Sequence, residues 1–193
     1  MFSASELILI RHAAADTNGR LCGRTDVGLA PGHAAAFAAR SGVFPDMDEV
    51  LVSPAVRCKL TAEGLWPKAR QVPDDRLWEQ DFGAWEGQPY ADIPDLGEVS
   101  RTELAEVSAP GGESFADLCA RVAPALMEFA DRARTGEVVV VVAHAGVVRA
   151  GLGLALDDMA AGLAFQVDPL SITRLTCLTG GGFAIKAVNL SPA

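Results

Sequence analysis

Runs of aliphatic residues recur along the chain between polar or glycine-containing segments, a pattern that predicts buried strands. The run from Val138 to Val142 consists of five consecutive valines, which is typical of a central strand covered on both faces. Shorter runs predict further strands at Glu6 to Ile10, Glu49 to Ser53 and Arg70 to Val72. The last two runs, Ser171 to Leu178 and Phe183 to Val188, flank the turn sequence TGGG and predict a closing hairpin.

Segments with helical spacing of apolar residues lie between these strands. The clearest is Glu113 to Arg134, whose apolar residues recur every three or four positions and form one stripe. Shorter helices are predicted at Pro31 to Arg40, Ala55 to Trp66, Arg101 to Val107 and Gly146 to Leu156. Alternating strands and helices predict a three-layer α/β/α sandwich with a mostly parallel central sheet, and the hairpin adds an antiparallel edge strand.

Length and composition fit one domain over residues 1–193. Half of the 193 residues are hydrophobic, which is enough for one sizeable core and too little for two. The segment from Arg76 to Gly112 is irregular and is expected to form a long functional loop around one short helix. The four cysteines form no CxxC pair, so we expect neither a zinc site nor a disulfide framework. Such cysteines fit a reducing compartment, and we expect a cytoplasmic location.

The charge balance narrows the range of partners. A net charge of −9 gives no basic footprint for nucleic acid or an anionic membrane. The apolar stretch Val138 to Leu156 contains His144 and Arg149, and therefore fits a strand, a turn and a helix better than a membrane span. The apolar run at Leu7 is too short for a signal peptide.

Cationic and imidazole side chains follow three of the predicted strands. Arg11 and His12 follow the first strand, Arg57 follows the second, and His144 follows the valine strand just before a helix start at Ala145-Gly146. In a parallel sheet, ligands bind outside the carboxyl ends of the strands. Guanidinium groups and free N–H groups at a helix start bind phosphate oxygens, and a neutral imidazole can attack phosphorus. We therefore expect a phosphoryl-transfer site that uses neither metal nor cofactor.

A phosphoryl-transfer site of this kind also needs a proton donor for the departing alkoxide. The segment LWEQDFGAWEG supplies Glu79, with Glu86 as an alternative. A partly buried carboxyl group keeps its proton more readily, so Glu79 is expected to be partly buried. Arg24 either reaches the phosphate or pairs with Asp26.

Five separated motifs resemble those of the histidine phosphatase superfamily, formerly grouped with the phosphoglycerate mutases. They are LILIRHA, SPAVRCKLTA, LWEQDFGAWEG, GGESFADLCARV and VVAHAGVVRA, in the order found in the family. The resemblance implies a phosphoglycerate mutase-like fold and a phosphohistidine intermediate. It implies His12 as the nucleophile, Arg11, Arg57 and His144 as phosphate ligands, and Glu79 as the proton donor. Among branches of the family, the motifs look most like those of α-ribazole phosphatases of cobalamin synthesis.

Some positions depart from the family pattern. Members usually carry glycine, glutamate and threonine where this chain has Ala13 to Ala15, and glycine is common at the position of Ala145. Asn18 falls where many members carry a phosphate-binding asparagine, and we include it with Arg24, Glu86, Ala145 and Gly146 as a candidate substrate-binding residue.

The main hypothesis is a phosphomonoesterase that acts on a small-molecule phosphate ester, as a monomer or a homodimer. Two alternatives stay open. One is a phosphoglycerate mutase, which would need a longer closing insertion than the Gln88 to Gly112 stretch offers. The other is a non-catalytic module that binds a phosphorylated ligand, which the three alanines after His12 favour.

Overall fold

The computed structural model describes residues 5–40 and 44–191, so residues 1–4, 41–43 and 192–193 of the expected domain lie outside it. The described part is built on a six-stranded sheet in the order β3-β2-β4-β1-β5-β6. Its strands are β1 Glu6–Arg11, β2 Glu49–Val52, β3 Arg70–Pro73, β4 Val138–Ala143, β5 Ile172–Cys177 and β6 Phe183–Leu190. The first four strands of that order are parallel, β5 is antiparallel to β1, and β6 is antiparallel to β5.

Helices connect the strands and pack on both faces of the sheet. They are α1 His33–Ala38, α2 Val56–Leu65, α3 Arg101–Glu106, α4 Phe115–Arg134 and α5 Ala145–Ala155. Single 3₁₀ turns occur at Asp75–Leu77, Gly83–Trp85, Tyr90–Asp92 and Ala160–Ala164. A capping box starts α4, because the side chains of Ser114 and Asp117 each accept a hydrogen bond from the other residue's backbone N–H.

The alternation of side chains along β1 and β4 produces two separate hydrophobic cores. Leu7, Leu9, Val139 and Val141 face the core that contains α4 and α5. Ile8, Ile10, Val140 and Val142 face the second core, against α2. Because both faces of these central strands are covered, apolar residues are favoured at consecutive positions, which explains the uninterrupted valine run.

The predicted three-layer architecture with a mostly parallel sheet is confirmed, and the valine strand is central. The antiparallel edge is the predicted hairpin of β5 and β6. One detail differs from expectation. Helix α1 starts at His33 and not at Pro31, because Gly32 adopts a left-handed conformation with φ of 91°.

The sheet brings the ends of distant strands together. The β1–β4 register pairs Arg11 with Ala143, and the His12 backbone N–H donates to the carbonyl of Ala143 at 2.9 Å. The Ser53 N–H donates to the carbonyl of Val142 at 3.0 Å, so β2 ends at the same level. The residues that follow these three strands therefore share one edge. Across the described ranges, no helix is both long and apolar enough for a bilayer crossing.

Candidate active site

A cleft of about 390 Å³ opens at the edge where β1, β2 and β4 end. We call it the active-site cleft. Its charged and imidazole lining residues are Arg11, His12, Arg57, Glu79 and Arg149. Four of the five predicted catalytic residues, Arg11, His12, Arg57 and Glu79, therefore meet around one opening, although they come from three separate segments of the chain.

The imidazole of His12 is held in one tautomer. Its Nδ1 lies 2.7 Å from the carbonyl oxygen of Ala13. A carbonyl can only accept, so Nδ1 carries the hydrogen and Nε2 keeps a lone pair. Burial lowers the pKa of His12 to about 3; the hydrogen bond to Ala13 opposes this shift, and Arg57 and Arg11 add to it. The side chain is therefore neutral at physiological pH and can act as a nucleophile through Nε2.

His144 lies beside His12, with 5.2 Å between the ring centroids, and is fully buried. Arg57 Nη2 donates to its Nδ1 at 3.2 Å, so Nε2 must carry the hydrogen, and it donates to Ser53 Oγ at 2.7 Å. Burial lowers the pKa of His144 well below its usual value, and electrostatic interactions with His12 and with nearby arginines, Arg57 first among them, add to this. Both ring nitrogens have protein partners here, so direct donation from His144 to a phosphate stays a prediction.

Arg57 is 1% exposed and is anchored by the loop that follows Cys22. Its Nη2 donates to the carbonyl of Gly23 at 2.6 Å, and its Nη1 donates to the carbonyl of Thr25 at 3.3 Å. Asp26 lies 3.9 Å from Nη1. Arg57 lies in the first turn of α2, as predicted, and its guanidinium lines the cleft while its other contacts fix its orientation.

Glu86 holds that same loop. Its carboxylate accepts backbone N–H groups from Gly23, Arg24, Thr25 and Phe82 at 2.8 to 3.1 Å. Burial raises the pKa of Glu86, but the hydrogen bonds from Thr25 and the other backbone groups outweigh it, so the pKa is lowered overall. Glu86 is therefore an ionised anchor for the loop that orients Arg57. The two roles considered for it, substrate binding and proton donation, do not fit a carboxylate that accepts N–H groups from four residues and has a lowered pKa.

Arg11 lines the cleft and has an unused donor. Its Nη1 donates to the carbonyl of Val167 at 2.6 Å. Its Nε is buried and has no hydrogen-bond partner among residues 5–40 and 44–191. Burial lowers the pKa of Arg11, an effect that Glu79 opposes and Arg149 reinforces, yet a guanidinium stays protonated in proteins. A buried donor without a partner costs free energy, and an anion in the cleft would satisfy it.

Glu79 is partly buried, as expected, and lies against the start of α5. Its Oε2 accepts the backbone N–H of Gly146 at 3.3 Å. A Cβ at Gly146 would lie 2.2 Å from Oε1 of Glu79, so only glycine allows this approach. This N–H was expected to serve the substrate, but it donates to the carboxylate of Glu79.

The backbone around Glu79 is held by Arg121 of α4. The guanidinium donates to the carbonyls of Arg76, Trp78 and Glu79 at 2.8 to 3.3 Å. It also forms a bidentate pair with Glu113, with both N···O distances at 2.7 Å. This network fixes the position of the predicted proton donor relative to the helices.

The other predicted binding residues lie farther from the open space. Arg24 pairs with Glu113 at 3.7 Å and covers the ring of Trp78, so it does not pair with Asp26, the alternative considered for it. Asn18 is exposed with φ of 50°, and its neighbour Thr17 lines the cleft. Ala145 is the first residue of α5 and is partly buried.

Arg149 was not predicted as a site residue. It lies on α5, lines the cleft, and its Nε donates to the carbonyl of Phe165 at 3.0 Å. The signal was present, because Arg149 follows Ala145 by four residues and so shares its face of the helix. Ser53 was also missed, since a serine at a strand end gives no sequence signal of the histidine it will contact.

The charge of the active-site cleft contrasts with that of the whole protein. Three arginines and one glutamate line it, although the net charge of the chain is −9. In the part of the chain that the structure describes, no three His, Cys, Asp or Glu side chains are grouped to hold a metal ion. The cleft therefore attracts anions through its guanidinium groups.

Two solved structures show this fold and share at least a quarter of their sequence with the chain. A protein described as mycobacterial hydrolase 1 has a TM-score of 0.84 and 26% identity, over 98% of this chain and 100% of that one. A mycobacterial glucosyl-3-phosphoglycerate phosphatase, solved with inorganic phosphate, has a TM-score of 0.81 and 26% identity, over 97% of this chain and 98% of that one.

A curated relative extends the comparison. A bifunctional protein of Mycobacterium tuberculosis is 32% identical over 206 aligned residues, which cover 96% of this chain and 54% of that protein. The chain thus spans about half the length of this protein and of two further mycobacterial relatives. The family model of the histidine phosphatase superfamily (branch 1) matches residues 7–191. Together with the cleft around His12, this match shows that the chain belongs to the histidine phosphatase superfamily.

Proposed function

We propose that the protein is a metal-independent phosphomonoesterase that forms a covalent phosphohistidine on Nε2 of His12. The observation that carries the proposal is the tautomer of His12. Its Nδ1–H is committed to the carbonyl of Ala13, so the lone pair of Nε2 is available beside two arginines and a glutamate. Membership of the superfamily and the likeness to a solved phosphatase support the same reaction.

In the first half of the proposed reaction, Nε2 of His12 attacks phosphorus and the bond between phosphorus and the ester oxygen breaks. Arg11 and Arg57 neutralise the negative charge on the equatorial oxygens. Glu79 enters the step as the carboxylic acid and gives its proton to the departing alkoxide. The products of this half are the free alcohol, the phosphohistidine and the Glu79 carboxylate.

In the second half, a water molecule replaces the alcohol. The Glu79 carboxylate takes a proton from this water while the water oxygen attacks phosphorus, and the bond to His12 breaks. Inorganic phosphate leaves, His12 regains its lone pair and Glu79 is again protonated. The cycle balances without a metal ion or a redox partner.

The proposed substrate is a small-molecule phosphate ester, which fits a cleft of about 390 Å³. Within that class, the resemblance of the motifs to α-ribazole phosphatases favours α-ribazole-5′-phosphate as the substrate. The proposed location of the enzyme is the cytoplasm. The solved phosphatase mentioned above acts, by its name, on glucosyl-3-phosphoglycerate. Both compounds therefore belong in the substrate panel.

The test measures phosphate release from this panel, to which 3-phosphoglycerate, sugar phosphates and nucleotides are added. Acid-quenched reactions with labelled substrate are expected to trap an acid-labile, base-stable phosphoenzyme, and chelators are expected to leave the rate unchanged. His12→Ala should remove both the label and the turnover, whereas Lys59→Ala, at an exposed residue of α2, should keep them.

The panel also separates the alternatives. Conversion of 3-phosphoglycerate into its isomer without release of phosphate would indicate a mutase. Tight binding of vanadate without turnover of any compound would indicate a binding module, which the alanines that follow His12 favour. Full activity of His12→Ala would refute the phosphohistidine itself.

A further inference from the structure

A second cavity of about 270 Å³ adjoins the active-site cleft. We call it the side pocket. Its lining includes Ala13, Ala14, His33, Arg40 and Pro169. Ala14 and Pro169 also line the active-site cleft, so the two spaces meet at these two residues.

Backbone hydrogen bonds hold the chain on both sides of the boundary between the two spaces. The carbonyl of Ala14 accepts the N–H of Ala30 at 2.8 Å, which fixes the backbone of the boundary. On the other side, the N–H of Leu170 donates to the carbonyl of Arg11 at 3.0 Å. At this boundary the shared residues Ala14 and Pro169 carry a methyl group and a pyrrolidine ring, neither of which bears a charge or a polar side-chain group.

The lining of the side pocket is mostly apolar and includes one cationic side chain, Arg40, and one imidazole, His33. Arg40 Nη1 donates to the carbonyl of Ala36 at 3.0 Å, while its buried Nε has no partner among the residues that the structure describes. His33 Nδ1 lies 2.9 Å from the carbonyl of Ala30, so Nδ1 carries a hydrogen and the ring orientation is fixed. The described lining contains no carboxylate, although the chain has 25 acidic residues.

We propose that the side pocket binds a second anionic group of the substrate, with Arg40 as its principal ligand. The substrate class is then a phosphate monoester that carries a carboxylate or a second phosphate at its far end. The first phosphate lies at His12 and the spacer crosses between Ala14 and Pro169. This inference rests on the proposed phosphatase activity, and it accounts for Ala14, His33 and Arg40, which the reaction itself does not use.

The test compares matched esters. Linear alkyl phosphates are paired with ω-carboxyalkyl phosphates and α,ω-bisphosphates of the same chain length, from two to eight carbons. At the length that spans the two spaces, the second anion should lower KM about tenfold or more, as expected for a hydrogen bond to a charged group. The plain alkyl phosphates serve as the reference for each length.

Two variants locate the effect. Arg40→Ala should remove the preference for the second anion and leave the plain alkyl phosphates unchanged, whereas Lys59→Ala removes an exposed cation of α2 as the charge-matched control. Ala14→Leu should narrow the passage and raise KM more for the long two-anion esters than for the short alkyl phosphates. Ala34→Leu, at an exposed position of α1, is its control.

The outcomes separate this inference from the proposed function. Loss of hydrolysis of every ester contradicts the phosphatase assignment and the inference with it. Hydrolysis of plain esters with no length at which a second anion lowers KM contradicts the side-pocket proposal alone. A preference that persists in both Arg40→Ala and Ala14→Leu places the second anion elsewhere and likewise overturns it.

Discussion

The hydroxyl of Ser53 lies 2.7 Å from Nε2 of His144, while Arg57 donates to the opposite ring nitrogen at 3.2 Å. Since a guanidinium can only donate, Ser53 is the acceptor that fixes the tautomer of His144. His144 in turn gives Arg57 an acceptor inside the protein. Ser53 therefore acts through His144 on the guanidinium that faces the phosphate site.

Removing this hydroxyl leaves the buried Nε2–H of His144 with only the thiol of Cys58, a weak acceptor, at 3.6 Å. We expect Ser53→Ala to lower the free energy of unfolding by about 1–3 kcal/mol and kcat by about tenfold or more. Ser53→Thr keeps the hydroxyl and is expected to retain most of the activity, provided that its methyl group is accommodated. Denaturant unfolding and steady-state kinetics measure the two effects. Equal kinetics for Ser53→Ala and the unchanged protein would show that His144 needs no such acceptor.

Gly146→Ala tests the placement of Glu79. The added Cβ would lie 2.2 Å from Oε1 of Glu79, the mobile end of a side chain, so the carboxylate must move while the fold survives. We expect kcat for alkyl phosphates to fall about a hundredfold, since general acid catalysis contributes about 10²–10⁴. The loss for p-nitrophenyl phosphate should be much smaller, because p-nitrophenolate departs without a proton.

The control for this variant is Gly180→Ala, because a Cβ at Gly180 meets nothing within 4 Å. It should leave the kinetics of both esters unchanged. An equal loss for both esters in Gly146→Ala would argue that the methyl group disturbs the cleft as a whole and that Glu79 is not the proton donor.

Glu86→Gln tests whether this carboxylate positions Arg57. An amide NH₂ cannot accept the backbone N–H groups that one carboxylate oxygen now receives, so the loop from Gly23 to Thr25 should loosen. We expect vanadate to bind about tenfold more weakly, with Glu98→Gln as an exposed control. If Glu86 were instead the proton donor, vanadate affinity would stay unchanged and only esters with poor leaving groups would react slowly.

The buried histidines predict acid sensitivity of the fold. The pKa of His12 is about 3 in the folded protein, against an ordinary value of 6.5, and burial is the main cause. The unfolded chain therefore binds the extra proton first, and stability falls as the pH drops from 6.5 towards 3. The slope from one such histidine is at most about 1.4 kcal/mol per pH unit.

Denaturant unfolding between pH 7.5 and pH 4.5 measures this slope. His12→Asn should make the dependence of stability on pH shallower by up to about 1.4 kcal/mol per pH unit, the contribution of one proton. The exposed His33→Asn serves as the control. An unchanged slope in His12→Asn would mean that the acid sensitivity comes from other groups, and would contradict a neutral buried His12.

The fold and the convergence of the site residues were largely predictable, since hydrophobic runs mark the buried strands and parallel strands end at one edge. The contacts that hold the site residues in position were not predictable. A serine at a strand end does not indicate that Ser53 contacts His144. Likewise, the sequence WEG does not indicate that Glu86 accepts N–H groups from a loop about sixty residues earlier in the chain. Such contacts depend on the tertiary positions of loops, which periodicity does not encode.

The partner of Arg24 shows the same limit. Asp26 is near in sequence, but the loop between them turns so that Asp26 lies 3.9 Å from Arg57 and Arg24 reaches Glu113. The expected start of α1 at Pro31 was wrong for a local reason, the left-handed backbone of Gly32. Proline predicts a first helical turn only when the following residues keep φ negative.

The pairing of β1 with β4 has a consequence for how the protein acquires activity. These strands lie far apart in the sequence, and their parallel register sets His12 beside His144. The entropy of closing so long a loop must be overcome before any part of the phosphate-binding surface exists. Recovery of vanadate affinity during refolding should therefore coincide with the slowest folding phase, and a fragment that ends before Val138 should bind none.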